Sequence, residues 1–252
     1  MTQKLANRVA FITGGNSGIG LASAQQFAAQ GATVVILARS QEKADEALPR
    51  ISGDATAVVG DVRDLKSLKS SFDVIQETHG RIDILMTSAG IVPASVLGKT
   101  EESTFDDIFD VNVKGTFFAV QYAVPLLTKG ASVILVCSCV HEMGSQDYAL
   151  YNSTKAAVRS LARSLTPDLA LMGVRVNVLS PGPIYTPVLE NSGLSTEHIE
   201  AVRETFSKRL AAGRVGQPDE VARVALFLAS DDSSYMYGSD VQVDGGMNQV
   251  RW

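Results

Sequence analysis

The chain has 252 residues, of which 45% are hydrophobic and 19% charged, with a formal net charge of −5 at pH 7. The acidic balance and the scattered lysines and arginines argue against a nucleic-acid-binding surface, which needs a clustered basic face. No stretch approaches the roughly 20 apolar residues of a membrane span, and no signal peptide is expected at the N-terminus.

The first predicted strand, residues 9–12, leads into a glycine-rich segment at 13–20. A helix of mostly small residues is predicted at 21–30, with Gly31 as its stop. A strand, a glycine turn and a helix start in this order place backbone N–H groups and a positive dipole end where a pyrophosphate can bind. Glycine is needed because a Cβ would block the approach of the phosphates. The pattern favours a nucleotide-binding loop over an ordinary turn.

Six further strands are predicted from apolar runs, most of them continuous and rich in β-branched residues, at 33–38, 56–60, 82–87, 133–136, 174–179 and 241–243. Such runs are typical of a parallel sheet that is covered on both faces. The intervening segments are long enough for helical crossovers, and no linker or repeat divides the chain. We expect an α/β fold: a single doubly wound domain over residues 1–252, with a mainly parallel seven-stranded sheet and helices on both faces.

Two cysteines, Cys137 and Cys139, flank Ser138 in the sequence. A bridge between residues so close would close a strained ring, and none of the three histidines has metal-ligand spacing with them. We interpret the cysteines as packing residues in a reducing compartment, and we expect a cytoplasmic protein with no metal site. Thiol sensitivity beside Ser138 is the alternative.

Tyr151 and Lys155 are four residues apart, so on a helix they project from one face. A tyrosine phenol has a reference pKa of about 10, and a fixed ammonium beside it lowers that pKa by favouring the phenolate. Taken alone, the pair is more often an exposed aromatic and a lysine at helical spacing. The glycine-rich segment shifts the balance toward an acid–base pair.

Over essentially its full length, the chain resembles the short-chain dehydrogenase/reductase family, and the family's motifs occur here in the family's order. The family's T-G-x-x-x-G-x-G and Y-x-x-x-K motifs match residues 13–20 and 151–155, and its V-D-G-G motif matches 243–246. Its catalytic serine matches Ser138, its helix asparagine Asn112, and its Pro-Gly turn Pro181 and Gly182.

Two motifs depart from the family pattern. Residues 87–90 read Thr-Ser-Ala-Gly where Asn-Asn-Ala-Gly is common, which casts doubt on local hydrogen bonds that tie the sheet together. Thr154 stands where serine is frequent.

The resemblance implies a Rossmann-type fold and an NAD(P)-dependent oxidoreductase acting on CH–OH groups. Tyr151 would act as general acid or base, Lys155 would lower its pKa and bind ribose, Ser138 would stabilise the carbonyl oxygen, and Asn112 would position Lys155 through a water. Taken alone, Ser138 and Asn112 read equally as strand-end and helix residues that satisfy backbone groups. The residues expected to contact the cofactor are Gly14, Asn16, Ser17, Gly18, Ile19, Gly20, Arg39, Ser40, Asp61, Val62, Ala89, Gly90, Tyr151, Lys155, Pro181, Gly182, Ile184 and Thr186.

The end of the second strand predicts the cofactor preference. Sites that prefer NAD usually carry an acidic residue about 20 positions beyond the glycine motif, whereas Arg39 and Ser40 stand here. An arginine can pair with the 2′-phosphate of NADP, although a surface arginine after a strand is the alternative. Asn16 and Ser17 occupy the place of the usual second basic residue. We therefore expect NADPH to be preferred, with NADH possible.

The substrate pocket is expected from residues 91–96 and 140–150 and from a lid at about 186–213. The lid's apolar residues at helical spacing either cover the substrate or pack on the domain. His141 and Glu142 either contact a polar substrate or are solvated, and the second is favoured. Because these segments hold no basic cluster, a phosphorylated or carrier-linked substrate is not indicated. We expect a carbonyl reductase or secondary alcohol dehydrogenase for a small or medium ketone.

Two other functions are considered. A halohydrin-dehalogenase-type lyase uses a Ser-Tyr-Arg set and lacks the dinucleotide glycines, so Lys155 and Gly14 argue against it. A non-catalytic nucleotide sensor has no chemical need for Ser138, Tyr151 and Lys155 together. The resemblance also implies a homotetramer, with residues 105–127 as one candidate face. Both a subunit contact and an exposed terminus fit residues 247–252.

Overall fold

The computed structural model describes residues 3–186 and 195–250. The strands are β1 (Val9–Thr13), β2 (Thr33–Ala38), β3 (Ala55–Val59), β4 (Ile82–Thr87), β5 (Leu127–Val136), β6 (Arg175–Pro181) and β7 (Asp240–Val243). The helices are α1 (Gly18–Ala29), α2 (Gln41–Ala47), α3 (Leu65–Thr78), α4 (Glu102–Phe109), α5 (Gly115–Ala123), α6 (Ala149–Leu171), α7 (Thr196–Arg209) and α8 (Pro218–Ala229).

All seven of these strands belong to one sheet, in the order β3-β2-β1-β4-β5-β6-β7, and each neighbouring pair is parallel. Thr13 at the end of β1 is in register with Leu37 of β2 and Thr87 of β4. The strand order reverses beside β1, and in open α/β sheets ligands bind in the crevice at the carboxyl ends of the strands at such a point. The expected fold class is confirmed.

Apolar cores cover both faces of the sheet. One contains Phe72 of α3, Val120 of α5 and Val158 of α6, and the other contains Phe27 of α1 and Leu228 of α8. Among the described residues, no helix is both long and apolar enough to cross a membrane.

Most predicted strand boundaries are within two residues of the observed ones, and two predicted elements differ by more. The strand predicted at 133–136 begins at Leu127, because Leu127 pairs with Ile82 through a register shift in a segment that is not continuously apolar. The helix predicted at 21–30 begins at Gly18, inside the glycine motif, and its last residue is Ala29. Both errors arise because the predictions follow runs of apolar residues, whereas backbone hydrogen bonds determine where an element begins and ends.

The candidate subunit face at 105–127 is not a single regular helix. A π-helical turn, Asp110–Lys114, joins α4 to α5 and carries Asn112 at its centre. Such wider turns are frequent at functional sites because they displace side chains from the regular helical spacing.

Candidate active site

Ser138 lies two residues beyond β5, at the carboxyl edge of the sheet, and is buried. Its hydroxyl accepts a hydrogen bond from the Val140 backbone N–H (3.4 Å) and donates one to the Pro181 carbonyl (3.4 Å). The same hydroxyl is near enough to the Tyr151 phenol to act on its pKa, which it lowers against the effect of burial. The structure therefore brings Ser138 and Tyr151 together, although they lie on different elements.

Tyr151 and Lys155 are one turn apart on α6, as their spacing predicts. Lys155 Nζ lies 5.7 Å from the centre of the Tyr151 ring and donates a hydrogen bond to the Val136 carbonyl at the end of β5 (3.1 Å). The lysine is only 5% exposed. The ammonium is therefore held against the strand that leads to Ser138.

Burial decides the direction of both pKa shifts in this pair. It raises the pKa of the Tyr151 phenol, and the Ser138 side chain acts in the opposite direction. It also lowers the pKa of Lys155, against the opposing effect of Cys137. The pKa of Tyr151 therefore shifts in the opposite direction to the one expected from a neighbouring ammonium. The cause is that removing a phenolate from water costs more free energy than the neighbouring groups supply by stabilising it.

Asn112 is fully buried and bonded on both sides of its amide. Its Oδ1 accepts from the Ile91 backbone N–H (2.9 Å), and its Nδ2 donates to the Ile91 carbonyl (3.0 Å) and to the Thr154 hydroxyl (3.1 Å). An alanine methyl at Gly90 would lie 3.4 Å from Asn112 Oδ1 and 3.7 Å from Lys155 Nζ. Asn112 therefore reaches the surroundings of Lys155 through Thr154, the residue before it.

The loop after β4 shows the effect of the departure at residues 87–90. The Ala89 backbone N–H donates to the Thr13 hydroxyl (3.3 Å), and the Ser88 N–H donates to the Thr13 carbonyl (3.1 Å). The Thr87 hydroxyl is buried and has no hydrogen-bond partner among the described residues. The departure from the family motif placed local hydrogen bonds in doubt, and Thr87 is the residue whose side chain lacks one.

The glycine loop is packed tightly against the loop after β4. Gly14 has a φ of +67°, and a methyl on it would lie 2.8 Å from the Ala89 Cα. A methyl on Gly20 would lie 2.3 Å from the Gly14 carbonyl oxygen. These glycines therefore serve the turn and its packing, besides any approach of a ligand.

The start of α1 fits an anionic group. The Ser17 side chain does not cap the helix, and its first turn contains no acidic residue. Backbone N–H groups at a helix start carry the positive end of the dipole. Ser17 is exposed and Asn16, Gly18 and Ile19 are partly exposed, so the predicted loop residues border solvent at the carboxyl edge of the sheet. They suit the pyrophosphate of a dinucleotide.

Arg39 directly follows β2 and is exposed, and among the described residues it forms no ion pair. Ser40 is the N-cap of α2, and its hydroxyl accepts from the Lys43 N–H (3.3 Å). The positive charge of Arg39 contributes to lowering the pKa of Asp61, so the two groups share one end of the sheet.

The Asp61 carboxylate is bonded to Arg63, with an Nη2–Oδ2 distance of 2.8 Å. Burial acts to raise the pKa of Asp61, but the hydrogen bonds and charge of Arg63 outweigh it and keep that pKa below its ordinary value. Val62 is buried against Gly115 at the start of α5, where a methyl would lie 2.9 Å from the Val62 Cβ. Both residues begin the crossover that follows β3, at the carboxyl end of that strand.

The segment after β6 closes the other side of the crevice. The Gly182 N–H donates to the Val243 carbonyl (3.0 Å), and a methyl on Gly182 would lie 2.6 Å from the Asp244 Cα. Ile184 forms an isolated bridge with Gly216. Thr186 is the last described residue before 187–194, so part of the predicted lid lies outside the described residues.

The described part of the lid contains α7. Leu210, just after it, is buried, and the Ala212 N–H donates to the Gly245 carbonyl (3.1 Å). This end of the lid therefore packs on the domain, which is one of the two roles left open by its sequence.

Sequence reasoning missed two structural links and misjudged a third residue. The sequence indicates Thr154 only as a departure from the family pattern, whereas the structure links it to Asn112 (3.1 Å). Ser95, not singled out at all, accepts from the Leu150 N–H at the start of α6 (3.1 Å). His141, expected to be solvated, has a side chain only 6% exposed, with Nε2 2.6 Å from Asp240 Oδ2. That expectation was wrong because the distant strand β7 supplies a carboxylate that the local sequence does not reveal.

Cys137 and Cys139 are both buried and unbridged. Burial raises the pKa of both thiols, that of Cys139 to about 12. Because the thiolate is the reactive form, these shifts favour the packing role over thiol sensitivity.

Comparisons with known proteins agree with this geometry. A family model described as enoyl-(acyl carrier protein) reductase matches residues 14–248. An oxidoreductase from Sarocladium schorii, asL5, is 40% identical over 98% of both chains. A 3-oxoacyl-(acyl-carrier-protein) reductase from Thermotoga maritima is 36% identical over 97% of this chain and 99% of its own.

A solved structure of a doubly substituted short-chain dehydrogenase/reductase from Serratia marcescens superposes with a TM-score of 0.90 at 26% identity, covering 97% of this chain and 99% of its own. The fold, the motif order and these similarities agree. The chain therefore belongs to the short-chain dehydrogenase/reductase family of NAD(P)-dependent oxidoreductases.

Proposed function

We propose that the protein is an NADPH-dependent carbonyl reductase or secondary alcohol dehydrogenase that acts on a small or medium ketone. The observation that carries this proposal is the meeting of Ser138, Tyr151 and Lys155 at the carboxyl edge of the sheet. The reductase named among the relatives acts on a 3-oxoacyl group, which is also a ketone. A ketone between Ser138 and Tyr151 would meet two hydroxyl groups.

In the direction of reduction, Tyr151 donates its proton to the carbonyl oxygen as general acid. Its raised pKa keeps the phenol protonated at neutral pH, and the same shift makes it a weaker acid that needs the developing negative charge of the substrate and its neighbours to release the proton. Ser138 donates a hydrogen bond to the same oxygen and stabilises the negative charge that develops there. A bound nicotinamide cofactor supplies the hydride.

Lys155 holds the ribose hydroxyls, and its charge favours the phenolate that Tyr151 becomes after donating its proton. Asn112 holds Thr154, and with it the turn of α6 that presents Tyr151 and Lys155. The positioning of Lys155 by Asn112 through a water is part of this proposal. Orientation and electrostatics are thus the contribution of the chain itself.

The preference for NADPH rests on Arg39. Its guanidinium is exposed at the end of β2, the place where an acidic residue would select NAD. A planar guanidinium binds phosphate through two parallel hydrogen bonds. Arg39 is close enough to Asp61 for its charge to lower the pKa of that carboxyl. Because Asp61 is already paired with Arg63, Arg39 can bind the phosphate of a ligand.

Turnover measurements on a panel of aliphatic, aromatic and keto-ester ketones, with NADPH and with NADH, test this function. We expect oxidation of NADPH by at least one ketone, with a higher kcat/KM than for NADH. Arg39→Asp should reverse the preference, whereas the same change at Arg50, which is on the turn after α2, should not. Binding of NADPH without turnover of any ketone would instead favour the nucleotide sensor.

The other functions receive less support. The glycine loop and Lys155 do not match a halohydrin-dehalogenase-type lyase, and the similar proteins compared above are named as oxidoreductases or reductases.

A homotetramer is also part of the proposal. Phe105 is exposed and its ring is stacked on that of Phe109 (centroids 4.5 Å apart) within the candidate helical face. Light scattering would give the number of subunits.

A further inference from the structure

The position of Ser138 depends on the short turn that follows it, Cys139–Glu142, here called the serine turn. The Ser138 carbonyl accepts from the His141 N–H (3.2 Å), and its hydroxyl accepts from the Val140 N–H (3.4 Å). The backbone carbonyl and the side-chain hydroxyl of Ser138 are thus both hydrogen-bonded to the turn. A displacement of the turn therefore displaces the hydroxyl that faces Tyr151.

His141 joins the serine turn to β7. Its Nε2 lies 2.6 Å from Asp240 Oδ2, and the two side chains are only 6% and 11% exposed. The two atoms are in close contact, but their relative orientation is not that of an aligned hydrogen bond. Asp240 is in register with Val178 of β6, so its backbone is fixed by the sheet. The serine turn is therefore tied to a rigid element.

Several other groups face this contact from neighbouring elements. Ser180 of β6 donates to Asp240 Oδ1 (2.5 Å), and Arg159 of α6 places Nε 3.5 Å from Asp240 Oδ2. Glu142, on the serine turn itself, is exposed and accepts from the Gln242 side chain (3.0 Å). The Asp240 carboxylate is therefore the buried negative group that both Arg159 and His141 approach.

The same residues do not suit a cation. His141, Glu142 and Asp240 have ligand atoms within 4.8 Å of one another, which is close enough for a shared metal. However, a metal ion would stand beside the positive charge of Arg159, and His141 already contacts Asp240 directly. The arrangement is that of a largely buried carboxylate approached by an arginine and a histidine.

A second tie holds the beginning of the serine turn. The Asn248 side chain donates to the Cys139 carbonyl (2.6 Å), while the Asn248 and Gly246 N–H groups donate to the Asp244 carboxylate (2.9 Å each). The segment after β7 thus restrains the turn at Cys139, and Asp240 restrains it at His141.

We propose that His141 and Asp240 are positioning residues, which fix the hydroxyl of Ser138 for the reaction by tying the serine turn to β7. This inference rests on the proposed reductase function. Neither side chain needs to touch the substrate. Removing either side chain breaks the contact between the serine turn and β7, although Ser180 and Arg159 still face Asp240. A misplacement of about 1 Å at a reacting group can cost on the order of 100-fold in rate.

Steady-state kinetics of three variants test this role. His141→Ala and Asp240→Asn should each lower kcat about 10-fold or more, while the Kd for NADPH stays within about twofold. His141→Gln, which keeps a nitrogen donor toward Asp240, should recover most of the lost kcat. His79→Ala is the matched control, because His79 follows α3 at the opposite edge of the sheet, and its kcat should equal that of the native protein.

Amide hydrogen exchange provides a readout that needs no substrate. Exchange at Val140 and His141 should be at least about 10-fold faster in Asp240→Asn than in the native protein, and close to native in His141→Gln. Unchanged exchange in Asp240→Asn, or unchanged kcat despite faster exchange, would overturn the positioning role. If the native protein itself turns over no ketone, the proposed function fails, whereas the exchange data still decide whether the pair holds the turn.

Discussion

The Asn112 amide donates a hydrogen bond of 3.1 Å to the Thr154 hydroxyl, between two residues that are both fully buried. The same hydroxyl donates to the Tyr151 carbonyl (2.7 Å). Thr154 thus connects the π-helical turn between α4 and α5 to the part of α6 that carries the proposed acid and its lysine.

This link predicts the effect of replacing Thr154. Thr154→Val keeps the shape of the side chain but leaves one donor of Asn112 without its partner, so the free energy of unfolding should fall by about 2 kcal/mol. Thr154→Ser keeps the hydroxyl and loses one methyl group, at a cost of about 1 kcal/mol or less. Urea denaturation measures both values. A valine variant as stable as the serine variant would show that the hydrogen bond contributes little.

Thr13 and Thr87 form a second pair, opposite each other on β1 and β4. Only the Thr13 hydroxyl has a partner, the Ala89 N–H, so Thr13→Val should lower the free energy of unfolding by about 1 kcal/mol. Thr87→Val removes a buried hydroxyl without a described partner and should be neutral or stabilising, by up to about 1 kcal/mol. Urea denaturation of the two variants makes the comparison. A larger loss at Thr87 than at Thr13 would contradict it.

Lys155 should contribute to function at the expense of stability. Burial lowers its pKa, so the unfolded chain keeps a proton that the folded protein releases at lower pH. Stability due to this group therefore rises with pH through the window between the lowered pKa and about 10.5, and its burial cost is greatest below that window. Tyr151, whose pKa burial raises, stays protonated in the folded protein through this range and works against stability only above about pH 10.

Accordingly, Lys155→Met should raise the free energy of unfolding at pH 7 by about 1 kcal/mol while abolishing turnover. Its stability should also rise less with pH than that of the native protein. Lys114→Met is the control: Lys114 forms a partly exposed pair with Asp110 (2.9 Å), and its loss should cost about 0.5 kcal/mol at most. Denaturation curves between pH 7 and pH 10 decide the matter, and a Lys155→Met variant less stable than native at pH 7 would refute the expected cost.

Two glycines with positive φ separate backbone strain from steric contact. Gly14 (φ +67°) and Gly98 (φ +82°) both favour glycine, but a methyl meets the Ala89 backbone at 2.8 Å only at Gly14. Gly98→Ala should cost about 1–2 kcal/mol from the backbone alone. Gly14→Ala should cost clearly more and should weaken NADPH binding at least 10-fold. Thermal denaturation and a binding titration compare the two variants. An equal loss of stability in both would show that the Ala89 backbone moves to accommodate the methyl group.

Much of the fold was predictable because its signals are local. The glycine motif after a strand indicated the nucleotide crevice, and the spacing of Tyr151 and Lys155 indicated a shared helix face. The partners of Asn112 and His141 were not predictable, because Thr154 and Asp240 reach them from elements distant in the sequence. The raised pKa of Tyr151 also follows from burial, which spacing alone does not reveal.

The central claim is that Tyr151 donates the proton, and removing its hydroxyl tests this most directly. Tyr151→Phe should bind NADPH with a Kd within about twofold of native but should reduce ketones at least 100-fold more slowly. Tyr122→Phe removes a phenol from the α5 helix, where Tyr122 packs against Phe72, and should keep native turnover. Turnover by Tyr151→Phe at the rate of Tyr122→Phe would contradict the assignment of Tyr151 as the general acid.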